Sequence, residues 1–109
     1  MNTQFKKGVL ELCILQVISN QDMYGFEIIS ELANLLDVNE NTIYPILRRL
    51  TNQGLFRVYE RESPFGAKRK YYAITEKGKT NLKKNIQEWE DFLTNVETIL
   101  GRGETKNEK

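Results

Sequence analysis

Residues 41–72 read NTIYPILRRLTNQGLFRVYERESPFGAKRKYY, and this stretch begins with a pattern of apolar residues at i, i+3, i+4 and i+7. Such spacing is typical of an amphipathic helix. The inner face of the predicted helix consists of Ile43, Ile46, Leu47 and Leu50. Gly54 follows, and glycine is the residue type that most often ends a helix. We therefore predict a helix that ends at Gly54.

Two strands are predicted directly after this helix. Residues 55–62 alternate apolar and polar side chains and are rich in β-branched and aromatic residues, as strands are. Residues 63–66, Ser-Pro-Phe-Gly, have the composition of a turn. Residues 68–75 resemble a second strand that begins with three basic residues. The pattern predicts a β-hairpin with a basic tip.

Helices are predicted on both sides of this stretch. Residues 8–19 are apolar on nearly every side, which predicts a helix that is buried all round. Residues 24–36 predict a second helix with an inner face of Ile28, Ile29, Leu32, Leu35 and Leu36. Residues 76–100 predict one long helix, ended by Gly101 and Gly103. Three helices, a hairpin and a helix describe a mainly α fold of the α+β type, a winged helix-turn-helix.

The chain divides into three predicted segments. Residues 1–75 form the winged helix-turn-helix domain, residues 76–101 a C-terminal dimerisation helix, and residues 102–109 a polar, disordered tail. The composition, 39% hydrophobic and 28% charged, suits a small domain that completes its core with a second copy. The N-terminus lacks a signal peptide and no apolar run could span a membrane, so we expect a cytoplasmic protein without a membrane partner.

Several classes of chemistry are excluded by the residue types present. The chain has no histidine and one cysteine, Cys13, which excludes histidine-based catalysis, the usual zinc sites and a disulfide within one chain. Cys13 lies in an apolar run, so we expect a buried thiol. No nucleophile has a base near it in the sequence. We predict no catalytic residue, no metal site, no cofactor and no enzymatic activity.

Positive charge is concentrated in one window of an almost neutral chain. The net charge of the whole chain is +1, yet residues 48–70 hold seven Lys and Arg against Glu60 and Glu62. Residues 1–47 have a net charge of −4, and residues 71–109 are balanced. The excess therefore belongs to the end of the third helix and to the hairpin.

This basic window predicts a DNA-binding surface. The outer side of the third helix carries Asn, Tyr and Arg, which are side chains that bind base edges and phosphates in a major groove. The basic hairpin tip would meet the neighbouring backbone or minor groove. An alternative is that the charges form only a solvated face. The predicted DNA-binding residues are Asn41, Thr42, Tyr44, Pro45, Arg48, Arg49, Lys68, Arg69, Lys70 and Tyr71.

The start of the third helix has two interpretations. If Asn39 is the N-cap, Pro45 lies in the second turn and removes one backbone hydrogen bond. If Thr42 is the N-cap, Pro45 falls in the first turn, where proline is tolerated. The sequence leaves both open.

The last helix carries an apolar seam with alternating steps of four and three residues. Its members are Leu82, Ile86, Trp89, Leu93, Val96 and Leu100. A small domain is expected to leave such a seam uncovered, so the seam predicts a homodimer in which the same helix or the first helix of a second chain covers it. A two-fold dimer would suit double-stranded DNA with a palindromic operator. The alternative is that the helix packs back on its own domain.

Three segments resemble one family closely. MYGFEIISEL (residues 23–32), NTIYPILRRLTNQGLF (residues 41–56) and GAKRKYYAITEKG (residues 66–78) resemble the PadR family of bacterial transcriptional regulators, in particular the small subfamily that includes multidrug-sensing members. The resemblance implies a winged helix-turn-helix homodimer whose C-terminal helix packs on the partner's N-terminal helix. It also implies repression of nearby genes, relieved by a small molecule.

The resemblance also assigns residues to roles. It places Thr42, Tyr44, Pro45, Arg48 and Arg49 in the recognition helix, and Lys68, Arg69, Lys70 and Tyr71 in the wing. Trp89 matches the aromatic residue that stacks on planar drugs in the multidrug-sensing members; on general grounds, a large aromatic residue in the middle of a seam is more often a core residue. Glu11 and Leu12 could face it from the other chain. The expected site for a small aromatic effector is Leu12, Asn85, Trp89 and Leu93.

Two functions of different kinds remain open at this point. One is a homodimeric, sequence-specific repressor that responds to a ligand. The other is a winged-helix module for protein interaction without ligand sensing, which would be expected to have an apolar outer face on the third helix. Arg48 and Arg49 argue for the first.

Overall fold

The computed structural model describes residues 3–102 of the chain. Its elements are α1 (Thr3–Asn20), β1 (Met23–Tyr24), α2 (Gly25–Ala33), α3 (Glu40–Asn52), β2 (Phe56–Glu62), β3 (Lys68–Ile74) and α4 (Glu76–Ile99). The predicted fold class, a mainly α winged helix-turn-helix, is confirmed. The disordered tail predicted for residues 102–109 lies, except for Arg102, outside the described residues.

The sheet has three antiparallel strands in the order β1-β3-β2. The predicted hairpin is β2 and β3, whose register pairs Phe56 with Ile74 and Glu62 with Lys68. The third strand, β1, was not predicted; it pairs Met23 with Tyr72 and Tyr24 with Tyr71. Two residues are too short to show an alternating pattern, so only the folded chain reveals this strand.

The core lies where α1, α2 and α3 meet. The predicted inner face of α3 is confirmed, since all four of its residues are at most 1% exposed. The prediction that the first helix is buried all round is wrong: one side of α1 is in the core, while Val9, Leu12, Cys13 and Val17 are only partly buried. The expected buried thiol of Cys13 is therefore partly exposed.

The end of α2 also differs from the prediction. The helix ends at Ala33, three residues earlier than the predicted range. Leu35 consequently lies beyond the helix and is 89% exposed, so its assignment to the inner face was wrong. Ile28 and Leu32 of the same set are buried, and Ile29 and Leu36 are partly buried against the core.

Both ends of α3 are fixed by local hydrogen bonds. Asn39 is the N-cap, and its side chain accepts a hydrogen bond from the Asn41 amide at 2.9 Å. Pro45 therefore lies in the second turn, where it leaves the Asn41 carbonyl without its helical donor. At the other end Gly54 has a φ of 83°, which glycine adopts without strain. Its amide and that of Leu55 bond back into the last turn, forming a Schellman motif that directs the chain into β2.

The hairpin of β2 and β3 is the wing of the fold. One junction holds the base of this wing to the start of α4. The Thr75 hydroxyl donates to the Gly54 carbonyl at 2.7 Å and accepts from the Gly78 amide at 3.0 Å, which caps α4. The Thr75 amide donates to the Leu55 carbonyl at 3.0 Å. A Cβ at Gly78 would lie 2.2 Å from that same carbonyl oxygen. Position 78 therefore requires glycine, because the first turn of α4 lies against the backbone of Leu55, the residue before β2.

The two ends of α4 differ in their surroundings. Leu82 is 7% exposed in the core and Ile86 packs against the core. Trp89 and Val96 are partly buried, whereas Leu93 is 41% and Leu100 56% exposed. The beginning of the predicted dimer seam is thus covered by its own chain, and its second half projects from the domain. Within residues 3–102, no helix combines the length and apolarity needed to cross a bilayer.

Candidate nucleic-acid interface

The outer side of α3 and the inner side of the wing form a groove between them. We call it the wing groove; its volume is ≈ 420 Å³, and it is lined by Tyr44, Arg48, Thr51, Asn52, Val58, Lys70 and Tyr72. Arg48 and Asn52 are exposed on α3, and Lys70 is exposed on β3. The groove thus presents guanidinium, amide, ammonium and phenol groups together. These groups bind guanine, adenine and phosphate oxygens.

A smaller cleft continues the wing groove toward the start of α2. It has a volume of ≈ 270 Å³ and shares Tyr44, Lys70 and Tyr72 with the wing groove. Gly25 lies at its edge, where an added Cβ would sit 2.6 Å from the Tyr44 ring. The first turn of α2 therefore fits against the Tyr44 ring because Gly25 has no side chain.

Tyr72 forms the floor between the two clefts. Burial raises the pKa of its hydroxyl, and the neighbouring Tyr44 raises that pKa further, while the charge of Arg48 lowers it. The Tyr72 ring also meets Phe56 edge to face, with centroids 6.3 Å apart. Tyr72 thus lies between the core and the groove, where its hydroxyl can donate a hydrogen bond.

The opposite face of the sheet carries one tyrosine from each strand. We call Tyr24, Tyr71 and Tyr59 the tyrosine ladder; the centroid of Tyr71 lies 5.5 Å from that of Tyr24 and 5.7 Å from that of Tyr59. Cross-strand pairing places the three rings side by side. The Tyr59 hydroxyl donates to the Asp22 carboxylate at 2.6 Å, and this bond raises the pKa of Tyr59.

Three arginines lie over the tyrosine ladder. Their guanidinium carbons are 5.4, 4.5 and 4.4 Å from ring centroids, and the residues are Arg57, Arg61 and Arg69. Cation–π stacking holds a guanidinium plane while leaving its N–H edges open to a phosphate. The predicted site residues left out Arg57 and Arg61. The alternation of residues 57, 59 and 61 along β2 is the signal that could have included them.

The residues predicted for the wing lie on two faces. Because side chains alternate along a strand, Lys68 and Lys70 lie on the α3 side of β3, and Arg69 and Tyr71 lie on the side of the tyrosine ladder. On α3, Asn41, Tyr44, Pro45 and Arg48 are exposed and Thr42 is partly buried. Of the predicted set, the structure brings Tyr44, Arg48 and Lys70 together in the wing groove.

Arg49 departs from this arrangement. Its guanidinium forms an ion pair with the Glu11 carboxylate of α1, and both side chains are about one-third exposed, at 35% and 32%. Successive residues of a helix point about 100° apart. The structure therefore turns Arg49 toward α1 and does not bring it to the wing groove with Arg48.

A separate cleft lies between α1 and α4. We call it the tryptophan cleft; its volume is ≈ 440 Å³, and it is lined by Gly8, Val9, Glu11, Leu12, Asn85, Glu88, Trp89 and Phe92. Three of the four residues predicted for an effector line it, and Leu93 lies outside it. Glu11 and Leu12 line this cleft together with Trp89 of the same chain. Glu88 and Phe92 were not predicted; they share the α4 side with Trp89, whose ring centroid is 6.4 Å from that of Phe92.

A third cleft lies on the other side of α1. We call it the cysteine cleft; it has a volume of ≈ 390 Å³ and is lined by Leu12, Cys13, Gln16, Val17, Glu31, Leu32, Leu35, Leu36 and Ile86. Most of these side chains are apolar. Burial raises the pKa of the Cys13 thiol, so the thiol is protonated at neutral pH.

Comparisons with known proteins agree with this geometry. A crystal structure of a PadR-like transcriptional regulator from Bacillus cereus superposes with a TM-score of 0.82 at 40% identity, covering 90% of this chain and 97% of that one. A transcriptional regulator from Streptococcus gives a TM-score of 0.82 at 36% identity, covering 90% of this chain and 98% of that one.

Sequence comparison gives the same result. The chain is 37% identical over 90 residues to the transcriptional regulator YqjI of Escherichia coli, a match that covers 79% of this chain and 42% of that longer protein. The sequence model of the transcriptional regulator PadR-like family matches residues 14–84, which include α2, α3 and the whole wing. The chain therefore belongs to the PadR-like family of transcriptional regulators, which bind DNA and are not enzymes.

Proposed function

We propose that the protein is a homodimeric, sequence-specific repressor that acts in the cytoplasm on a palindromic operator. The observation that carries this proposal is the wing groove, where Arg48 and Asn52 of α3 face Lys70 of β3 across one surface. In this arrangement α3 enters the major groove, with Arg48 against a guanine edge, while Lys70 binds the adjacent phosphates. The proposed contact residues are Asn41, Thr42, Tyr44, Pro45, Arg48, Lys68, Arg69, Lys70 and Tyr71.

The arginines of the tyrosine ladder add a second set of phosphate contacts. Arg57 and Arg61 lie on the wing face opposite the wing groove, and Arg69 lies over the Tyr24 ring at the edge of the smaller cleft. Each guanidinium is oriented by a ring, so little side-chain entropy is lost when it meets a phosphate. We assign these three residues to affinity and Arg48 to sequence preference.

The proposed dimer uses the projecting half of α4. Exposed apolar residues on this half, beyond the tryptophan cleft, include Leu93, Ile99 and Leu100, at 41%, 82% and 56%. The cysteine cleft offers a largely apolar surface to receive them, and Leu35 at its rim is 89% exposed. An exchange of the α4 ends between two copies would cover both surfaces and relate two α3 helices by a two-fold axis.

The proposed effector site is the tryptophan cleft. Trp89 and Phe92 supply aromatic surfaces, and the cleft volume of ≈ 440 Å³ is within the range of about 300–1,000 Å³ typical of small-molecule sites. The cleft is formed by α1 and α4, and α4 also carries the dimer surface. A planar aromatic molecule bound there would relieve repression by changing how α1 and α4 hold the two α3 helices.

Selection from a pool of random duplexes tests the DNA-binding part of this proposal. The expected result is an inverted repeat whose half-sites are about 10 base pairs apart, or a multiple of that spacing. Affinity for the selected duplex should fall steeply as salt rises, because phosphate contacts release counterions. Failure to enrich any sequence, with weak and salt-insensitive binding, would instead favour a winged-helix module for protein interaction.

A further inference from the structure

Glu11 takes part in two different features of the molecule. Its side chain lines the tryptophan cleft. Its carboxylate is also the partner of the Arg49 guanidinium on α3. The carboxylate therefore connects the proposed effector site with the helix that carries Arg48.

The charge of the tryptophan cleft favours one class of ligand. Among the described lining residues, Glu11 and Glu88 are acidic and none is Lys or Arg. Trp89 and Phe92 present rings whose faces attract cations. An aromatic cation would gain from both features, whereas a neutral aromatic molecule would gain only from the rings. Within this cleft, Glu11 is the carboxylate that already has a cationic partner.

We propose that Glu11 selects cationic effectors in the tryptophan cleft and that a bound cation competes with Arg49 for the Glu11 carboxylate. This inference rests on the proposed effector role of the cleft. The Glu11 side chain is 32% exposed and the Arg49 side chain 35% exposed. Either side chain can therefore turn to a new partner without a rearrangement of the core. A cation that takes Glu11 releases Arg49, and α3 loses its charged attachment to α1.

The competition has a consequence that can be measured without DNA. If Arg49 holds Glu11 in the free protein, removing the Arg49 charge should make Glu11 available and tighten cation binding. A partly exposed ion pair is expected to change that affinity by about two- to fivefold. A neutral ligand of similar shape should not respond, because it makes no use of the carboxylate.

The probes are ethidium, a planar aromatic cation, and phenanthridine, its uncharged aromatic core. Trp89 is the only tryptophan, so quenching of its fluorescence reports the cleft directly. N-acetyltryptophanamide measures quenching without a site. We expect Arg49→Gln to tighten ethidium binding about two- to fivefold and Glu11→Gln to weaken it by a similar factor. Phenanthridine binding should stay the same in both variants.

Three further variants make the test specific. In a Glu11→Gln background, Arg49→Gln should have no effect on ethidium, since the shared carboxylate is gone. Arg49→Lys keeps the charge and should bind ethidium like the unchanged protein. Glu88→Gln removes the other carboxylate of the cleft; it should weaken ethidium yet leave the response to Arg49→Gln intact.

The release of α3 has its own measurement. Ethidium should accelerate hydrogen exchange of the α3 amides near Arg49 in the unchanged protein but not in Glu11→Gln. If ethidium quenches Trp89 but Arg49→Gln leaves its affinity unchanged, the competition is refuted and the effector site stands. If neither probe quenches Trp89 beyond the N-acetyltryptophanamide control, the proposed effector site itself fails, and the competition with it.

Discussion

Arg48 and Arg49 are neighbours in the sequence, and the fold gives them different surroundings. Arg48 is exposed in the wing groove beside Tyr44 and Lys70. Arg49 is paired with Glu11 on α1, at the edge of the tryptophan cleft. One rotation of about 100° along α3 separates them. A cluster of charge in a sequence therefore does not by itself define a surface, because the helix distributes its members between the side that lines the wing groove and the side that faces α1.

Both sides of α3 depend on one junction. The end of α3, the start of the wing and the start of α4 meet around Gly54, Leu55, Thr75 and Gly78. If this junction is disturbed, the wing moves relative to α3 and α4 moves relative to α1. Substitutions at this junction are therefore expected to have larger effects on the protein than substitutions of either arginine.

Gly78→Ala should disturb both the wing groove and the packing of α4 on α1. The added Cβ would lie 2.2 Å from the Leu55 carbonyl oxygen, a backbone atom that cannot turn aside. Overpacking of this kind costs about 1–3 kcal/mol or more in the free energy of unfolding. We expect a loss of about 3 kcal/mol, measured by urea denaturation.

Gly8→Ala is the matched control for this substitution. Gly8 also lies in a helix, and a Cβ there would meet no described atom within 4 Å. The better helix propensity of alanine should raise stability by up to about 1 kcal/mol. Equal stability of the two variants would show that the Leu55 carbonyl does not exclude a side chain at position 78.

Arg48→Ala and Arg49→Ala test the comparison itself. Loss of Arg48 should weaken binding to the selected operator by about 1–3 kcal/mol and relax the preference at one base position. Loss of Arg49 should weaken binding to the operator by less than about 1 kcal/mol, because its side chain lies away from the wing groove and a partly exposed ion pair contributes little to the stability of α3.

Fluorescence anisotropy with a labelled operator measures both variants under the same salt concentration. A control duplex with the half-sites scrambled separates sequence preference from general affinity. Equal losses for the two arginines would mean that both reach DNA, so that the Glu11 pair opens when the protein binds its operator.

The sequence predicted those elements whose patterns are long and local. The four apolar residues of α3 and the β-branched and aromatic residues of β2 are visible within a few residues, and the structure confirmed the inner face of α3 and a strand over Phe56–Glu62. The ending of α3 at Gly54 was equally local. The predicted DNA-binding role rests on the same stretch, and the structure shows Tyr44 and Arg48 exposed on α3.

The parts that the sequence missed depend on contacts between distant segments. β1 exists because Met23 and Tyr24 meet β3, some 48 residues later in the chain. The pairing of Arg49 with Glu11 joins residues 38 positions apart. Neither is encoded in a local period. The end of α2 was misplaced for another reason: Leu35 and Leu36 continue an apolar pattern that the helix itself does not follow.

The smallest of the expected effects concerns Cys13, which lies on the side of α1 that lines the cysteine cleft. Burial raises the pKa of its thiol, so the folded protein holds the proton to a higher pH than the unfolded chain. The contribution to stability is therefore complete below the thiol's unfolded pKa and is lost as pH rises through the folded pKa. Alkylation of Cys13 by N-ethylmaleimide should be slower in the folded protein than in the urea-unfolded chain at every pH below the folded pKa, because the thiolate is the reacting species. Cys13→Ser provides the unreactive blank.

The same reaction sharpens the comparison between the two faces of α1, one lining the tryptophan cleft and the other the cysteine cleft. If the projecting half of α4 from a second copy covers the cysteine cleft, alkylation of Cys13 should slow further as protein concentration rises through the dimer dissociation constant. Trp89 fluorescence should change little over that range, because the tryptophan cleft is formed within one chain. A dimer seen by sedimentation while Cys13 stays equally reactive would place the interface elsewhere. Protection of Cys13 would instead leave the tryptophan cleft as the side of α1 that remains open to an effector.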